Sequence, residues 1–352
     1  MRTKMMFKRN INILYAVSLM AFFLVSCKKA PAEKDYLSDK ATFSNVAIYE
    51  PVLGRTFLYK TNFSADGSSY PLNFSLENMR HFDGSAAPEL MKSAQVLEWT
   101  GLYDGKEKTL KEIEEKRRVV NKPFFEIRPG SGDLIFYKSG SGIVSSYPNE
   151  GYLFDIKVSN KGNERLIKNL RLRPIQDIAY EPFEYDPYTR IRKQESRVRP
   201  NGVPYTTAFV NHATMSNVYL SKDTLMNDSL SRVYFRKTGN GNSLTFKFFD
   251  KDSAVIDPAR FNLTKWEELV HGFNLIKTNT QVSYEVAYPI PLTDLDTKFA
   301  ISNKAKINIG YTRTGFSSTR IDANLLLNFS IYEKGDWVII FKFQRTPRFQ
   351  NE

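Results

Sequence analysis

The sequence predicts an all-β protein built from two β-sandwich-like domains, the first immunoglobulin-like, with one or two short helices inserted. Three observations carry this. Aromatic residues make up 14% of a 352-residue chain, short apolar runs alternate with polar residues at a period of two, and only two stretches carry a helical period. About 325 residues remain once a leader is removed, which exceeds one usual domain and points to two.

The leader comes first. Met1 to Asn10 holds Arg2, Lys4, Lys8 and Arg9 and no acidic residue, and Ile11 to Val25 is apolar apart from Asn12 and Ser18. Basic then greasy is the order of a secretory signal. The run falls short of the roughly 20 apolar residues that cross a bilayer. It stops at Leu24-Val25-Ser26-Cys27, which resembles the lipobox of bacterial lipoproteins. Residues 1–26 are therefore expected to be a signal peptide, cleaved before a lipidated Cys27. Two or three acyl chains, at about 0.8 kcal/mol per buried methylene, give a stable anchor where one would not.

Cys27 is the only cysteine, so the mature chain has no thiol for a disulfide, for catalysis or for a thiolate zinc site. Removing the leader lowers the formal charge from +12 to +8, since it takes away four basic and no acidic residues. A basic excess suits anionic partners in general. Export argues against nucleic acid, and cations scattered among 38 acidic residues read as a solvated surface.

Residues 27–41 carry Ala30-Pro31-Ala32 and mixed charge without apolar periodicity, the pattern of a flexible tether. The immunoglobulin-like domain is expected over residues 42–176. Leu72 to Leu76 alternates, and Leu134 to Tyr137 is a continuous apolar run between glycine-bearing turns at Gly130-Ser131-Gly132 and Gly140-Ser141-Gly142. Tyr152, Phe154, Ile156 and Val158 share one face of a sandwich strand. Tyr152 resembles a tyrosine corner, and Phe154 stands where true immunoglobulins place a cysteine. Leu166 to Arg173 reads as a closing strand. Thr109 and Glu112 have capping-box spacing and open a helix to about Arg118, with Leu110, Ile113 and Arg117 inward.

Residues 177–204 form a connector rich in proline, aromatics and charge, with neither period. Its rings, beside Arg190, Arg192 and Arg197, either make a stacking platform for sugar faces or staple two domains together. Tyr185, Tyr188 and Arg190 are the ligand-binding candidates. The second domain is expected over residues 205–352. Thr238-Gly239-Asn240-Gly241-Asn242 signals a hairpin between Val233–Phe235 and Leu244–Phe249. Thr264 opens a short helix with Trp266, Leu269 and Phe273 at packing spacing. Strands follow at 282–287, 305–311, 321–332 and 337–343, the last two forming a long hairpin through Glu333-Lys334-Gly335-Asp336, with the Trp337 to Phe341 run buried on both faces.

Searches for reaction chemistry give no catalytic residue, metal ligand or cofactor. His81, His212 and His271 lie at no metal-ligand spacing. Asp250-Lys251-Asp252-Ser253 lacks the glycine and bidentate Glu of a calcium loop and reads as an Asx-type turn. The adjacent Glu267 and Glu268 diverge too far on a helix to share a site, and no Gly-x-Ser-x-Gly elbow occurs.

The lipobox, together with Asp35-Tyr36-Leu37-Ser38, Pro51 to Thr56, Trp266 to Phe273, Ala287 to Leu292 and Ile331 to Trp337, resembles a family of uncharacterised lipoproteins from Bacteroidetes. Members are often encoded near outer-membrane nutrient importers of the starch-utilisation type. The resemblance implies a glycan-capture or accessory role, for a polysaccharide or oligosaccharide, beside such an importer; with the lipobox this gives the expectation of a lipid-anchored outer-membrane protein, and the lack of a catalytic signature the expectation that it is not an enzyme. A structural or interaction subunit docking on an outer-membrane transporter is the alternative. Lys28-Lys29 in place of an immediate acidic run leaves cell-surface and periplasmic display both open.

Overall fold

A computed structural model describes residues 35–349 apart from 44, 45, 61, 200, 221–223 and 316–318. The signal segment, Cys27 and the first part of the tether lie outside the described residues. Strand accounts for about 46% of the described residues and helix for 7%, so the all-β expectation holds.

In the N-terminal half, β1 (Phe57–Tyr59), β2 (Asn73–His81), β3 (Ser93–Trp99), β4 (Arg117–Pro123), β5 (Phe125–Ile127), β6 (Leu134–Phe136), β7 (Tyr152–Ser159) and β8 (Glu164–Leu172) form two three-stranded antiparallel sheets and a ribbon. The sheet orders are β2-β7-β8 and β1-β6-β5, with β3 paired to β4. Alternation decides what goes inside. Tyr152, Phe154, Ile156 and Val158 are all buried, and the continuous Leu134–Phe136 run is buried on both faces. Phe125 stacks on Phe136 at 4.5 Å and meets Phe154 edge-on at 4.9 Å, which joins the two sheets. The Tyr152 hydroxyl accepts the Ser145 amide at 2.8 Å, the reach-back contact of a tyrosine corner.

Residues 35–41, expected to belong to a flexible tether, are instead seated against the far end of the β2-β7-β8 sheet. The Tyr36 carbonyl accepts from the Ser69 amide at 2.8 Å and from Asn160 Nδ2 at 3.0 Å. Asn163 Nδ2 donates to the Asp35 carbonyl at 2.5 Å, Arg165 donates to the Ser38 carbonyl at 2.9 Å, and Ala41 is buried. Backbone carbonyls make most of these contacts, so no side-chain pattern announces them.

Among the described residues one α-helix, α1 (Leu110–Glu115), occurs, in the long excursion between β3 and β4. Thr109 Oγ1 accepts the Glu112 amide at 3.1 Å, while the Glu112 carboxylate reaches back to the Lys108 amide at 2.9 Å. The helix is shorter than its charge pattern predicts, because Arg117 already pairs with Trp99 as the first residue of β4.

The connector contains structure of its own. β9 (Tyr180–Glu181) adds to the second body, and β10 (Gln194–Val198) pairs with β11 (Pro204–Ala208) as a two-stranded ribbon, so residues 204 and 205 lie within one strand. Beyond it come β12 (Asn211–His212), β13 (Thr214–Ser216), β14 (Ser231–Gly239), β15 (Ser243–Phe249), β16 (Gly272–Lys277), β17 (Val282–Val286), β18 (Ala300–Ile301), β19 (Lys304–Thr314), β20 (Arg320–Ile331) and β21 (Asp336–Phe343). They form a six-stranded sheet, β12-β14-β21-β15-β17-β16, facing a sheet of order β13-β20-β19-β18. Phe246, Phe248, Ile339 and Phe341 from one face Ile307, Ile309, Leu325 and Phe329 from the other in one core.

Both expected hairpins of this half are corrected by the sheet order. β14 and β15 do not pair with each other; β21 runs between them, antiparallel to β14 and parallel to β15. β20 and β21 lie in opposite sheets, so Glu333 to Gly335 carries the chain from one sheet to the other instead of turning a hairpin. Asp336 explains the insertion. Its carboxylate accepts the Gly241 amide at 2.9 Å, the Ser243 amide at 3.2 Å and the Ser243 hydroxyl at 2.7 Å, so the Gly-Asn-Gly turn wraps an acidic side chain. A β-carbon at Gly239 or Gly241 would occupy the place of that carboxylate. As a central strand β21 buries alternate residues and leaves Val338 and Ile340 half-buried, short of the two-face burial expected.

The second helix is corrected as well. Trp266–Glu268 is one 3-10 turn, and Phe273 belongs to β16. Trp266 and Leu269 are buried as their spacing predicts, but a strand begins where the third helical contact was expected. Glu267 and Glu268 are exposed on that turn. Asp250 Oδ1 accepts the amides of Asp252 and Ala254 at 2.9 and 2.8 Å, the Asx geometry read from the sequence.

Candidate functional site

Two hydrophobic cores, one either side of the connector, meet along a seam. Tyr103 and Ile113 from the α1 excursion pack on Ala287 and Leu292 of the second body, with Leu110 and Phe273 beside them. Arg55 pairs with Glu181 at 2.8 Å, Lys304 closes on the same carboxylate, and the Arg55 guanidinium lies 4.2 Å from the Tyr332 ring centre. Burial works against the Glu181 charge, yet Lys304 and Arg55 hold its carboxyl below the usual range. Arg117 donates to the Tyr288 carbonyl at 2.7 Å. Four segments that carry the family resemblance, at Pro51–Thr56, Trp266–Phe273, Ala287–Leu292 and Ile331–Trp337, thus line this seam.

His271 is a seam residue too. Its Nε2 lies 2.8 Å from the Glu107 carbonyl, which can only accept, so Nε2 carries the proton and Nδ1 accepts from the Tyr103 hydroxyl at 2.6 Å. Its ring stacks on Phe299 at 4.7 Å. Burial pushes the imidazole pKa down, against the pull of Glu107, and pushes the Tyr103 phenol up. With no nucleophile beside it, the pair is a packed, satisfied joint. His81 instead meets Glu89 at 2.9 Å, and His212 lies 3.1 Å from the Ser231 carbonyl. Among the described residues no group of three His, Cys, Asp or Glu side chains is placed to hold a metal.

An open space flanks the seam. It is a groove of about 640 Å³ between α1 on one wall and β16, β17 and the Trp266–Glu268 turn on the other. That size falls within the range of small-ligand sites. Leu110 and the half-buried Phe273 and Leu275 give it an apolar strip, while Lys108, Glu267, Asn274 and Glu285 provide polar atoms. Asn274 sits at a bulge where β16 slips against β17, with φ of 51°, a backbone that asparagine tolerates better than most residues. The bulge turns its amide toward Glu285, to which it donates at 2.6 Å, and Asn242 donates to the other carboxylate oxygen at 3.2 Å. Two amides, one on β16 and one in the turn before β15, therefore fix one carboxylate beside an aromatic ring.

The predicted connector residues are not gathered into a row. Tyr185 is exposed, with its ring 5.5 Å from Phe183. Tyr188 donates to Glu50 at 2.9 Å and meets Tyr147 edge-on. Arg190 donates to Gln176 Oε1 at 2.8 Å and to the Asp177 carbonyl at 2.7 Å. Tyr180 stacks on Phe235 at 4.7 Å and lies edge-on to Trp337. These rings mostly fasten one body to the other, the stapling role the sequence left open. The groove residues escaped sequence reasoning because Phe273 fits a helical period from Trp266. The one local signal was Asn274 itself, since asparagine takes a left-handed backbone position more readily than most residues.

Fold and groove define an all-β, multi-sheet protein with a preformed polar and aromatic cleft beside the seam. Residues 63–351 match the family described as Domain of unknown function (DUF5007), and the chain belongs to that family. No curated protein and no solved structure matches the chain.

Proposed function

We propose that this protein is a lipid-anchored outer-membrane binding protein that captures a glycan without cleaving it, as an accessory to a nutrient importer. One observation carries the reading: a groove of ligand size in which the Phe273 ring lies beside a carboxylate held by two amides. Flat sugar faces pack on aromatic rings, and sugar hydroxyl pairs suit fixed planar acceptors. The anchor rests on Leu24 to Cys27 and on the basic and apolar leader before it. Among the described residues no helix is long and apolar enough to cross a membrane. Affinity electrophoresis of the full lipidated chain in detergent, through gels containing single polysaccharides, tests the reading. Retardation by at least one glycan, relieved in Phe273→Ala, is expected; unchanged migration with every glycan would reject it.

A second reading, docking on a transporter, is favoured by the β10–β11 ribbon. It pairs with neither sheet and exposes Val198 and Val203 near its turn, with Ile191 exposed near its other end. Exposed apolar side chains on a free ribbon suit a protein interface. Loss of co-purification with an importer on Val198→Ser and Val203→Ser would support it.

A further inference from the structure

We infer that the groove selects uncharged, hydroxyl-rich glycans and rejects acidic ones, although the chain as a whole is basic; the inference rests on the glycan reading above. The Glu285 carboxylate on the groove wall is fixed by one amide N–H of Asn274 and one of Asn242, each amide keeping its second N–H, and the remaining carboxylate lone pairs are acceptors. A ligand that bonds this carboxylate must bring donors. Sugar hydroxyls do; a uronate or sulfate brings further acceptors and a like charge.

The charges around the groove do not reverse this. Its lining holds Lys108 and Lys111 against Glu114, Glu267 and Glu285, so anions outnumber cations locally. Lys111 is 3.6 Å from Glu115, and Glu114 is paired with Arg117, so each is partly compensated by its own neighbour. The formal charge of +12 comes from residues spread over the whole sequence, including the leader, and gives no guide to the local field. Phe273 completes the selection by offering a face to an apolar sugar ring and no counter-ion to a carboxylate.

The test uses the full lipidated chain in detergent on gels containing either neutral polymers (pullulan, galactomannan and xylan) or acidic ones (polygalacturonate and alginate), at low and at moderate salt. Retardation by a neutral polymer at both salts, and none by the acidic polymers at moderate salt, is expected. Glu285→Gln, which replaces two acceptors by one acceptor and one donor group, should weaken neutral binding about tenfold while leaving the thermal midpoint within a few degrees. Retardation by polygalacturonate or alginate that persists in moderate salt and is lost in Lys108→Ala overturns the selectivity while the glycan reading stands. Unchanged neutral binding in both Glu285→Gln and Phe273→Ala places the ligand elsewhere and overturns the inference. Retardation by none of the polymers overturns the glycan reading and the inference together.

Discussion

Asp336 holds Gly241: the carboxylate at the first residue of β21 takes the amide of a turn 95 residues earlier in the chain, at 2.9 Å. With the two Ser243 bonds, this one side chain guides the last strand of the sheet into the gap between β14 and β15.

Replacing Asp336 by Ala should cost about 1–2 kcal/mol, since three hydrogen bonds are lost at a partly exposed site. The bonds from Ser243 and Gly241 lower the Asp336 pKa from its ordinary value of 3.8. Its contribution is therefore complete above about pH 4 and disappears as pH falls through the lowered folded value. Urea midpoints of wild type and variant should differ at pH 7 and converge in strong acid.

Glu181→Ala should be more damaging, about 3 kcal/mol, because it leaves Arg55 and Lys304 facing each other at the seam without their shared anion. The same substitution should loosen the coupling between the two cores. Calorimetry is expected to show one transition in wild type broadening or splitting in the variant; a sharp single transition at the original temperature would count against this role.

His271 makes stability fall on the acid side of neutrality. Burial lowers its folded pKa from 6.5, so the unfolded chain takes up a proton more readily. The stabilisation is fully present above about pH 6.5 and is lost as pH falls through the folded value. His271→Gln should flatten the change in denaturant midpoint between pH 7.5 and 5. Tyr103→Phe, which removes the donor to Nδ1, should cost about 1 kcal/mol at pH 7.5.

Gly151 precedes the corner tyrosine with φ of 90°, and a β-carbon there would run into the Leu172 carbonyl of the neighbouring strand. Gly151→Ala combines a strained backbone with a backbone collision and should cost about 2–3 kcal/mol. Thermal melts should show it; an Ala at Gly162, where nothing lies within reach, should be nearly silent.

Tyr188→Phe removes the hydroxyl bond to Glu50 and should lower stability by about 1 kcal/mol. Glycan retardation should be unaffected if the groove is the binding site. A loss of binding in Tyr188→Phe would return the site to the connector.

Local periodicity carried the parts of the fold whose partners lie nearby. Tyr152 to Val158 alternates and buries its apolar residues, Asp155 being buried among them, and Thr109 caps a helix whose turn lies three residues on. Pairing over long distances was not legible, because a Gly-Asn-Gly turn reads the same whether its flanking strands meet or are separated by a third. Only Asp336, remote in sequence, distinguishes the two outcomes. The groove was hidden for a related reason. Trp266, Leu269 and Phe273 match a helical period by coincidence of spacing, and the choice of strand at Gly272 is made by pairing to Val286. Asn242 and Asn274 converge on Glu285 only once that pairing exists.

The seating of Asp35 and Tyr36 on the Asn160–Asn163 turn sets a direction for the whole molecule. The turn marks the start of β8, whose nine residues run about 30 Å to Leu172, where the chain leaves for the connector and the second body. On the proposed anchoring at Cys27, the seven residues between it and Asp35 would bridge at most about 28 Å. That anchoring would set the Asn160–Asn163 end of the first sandwich nearest the lipid headgroups, and the exit toward the second body at the opposite end of β8.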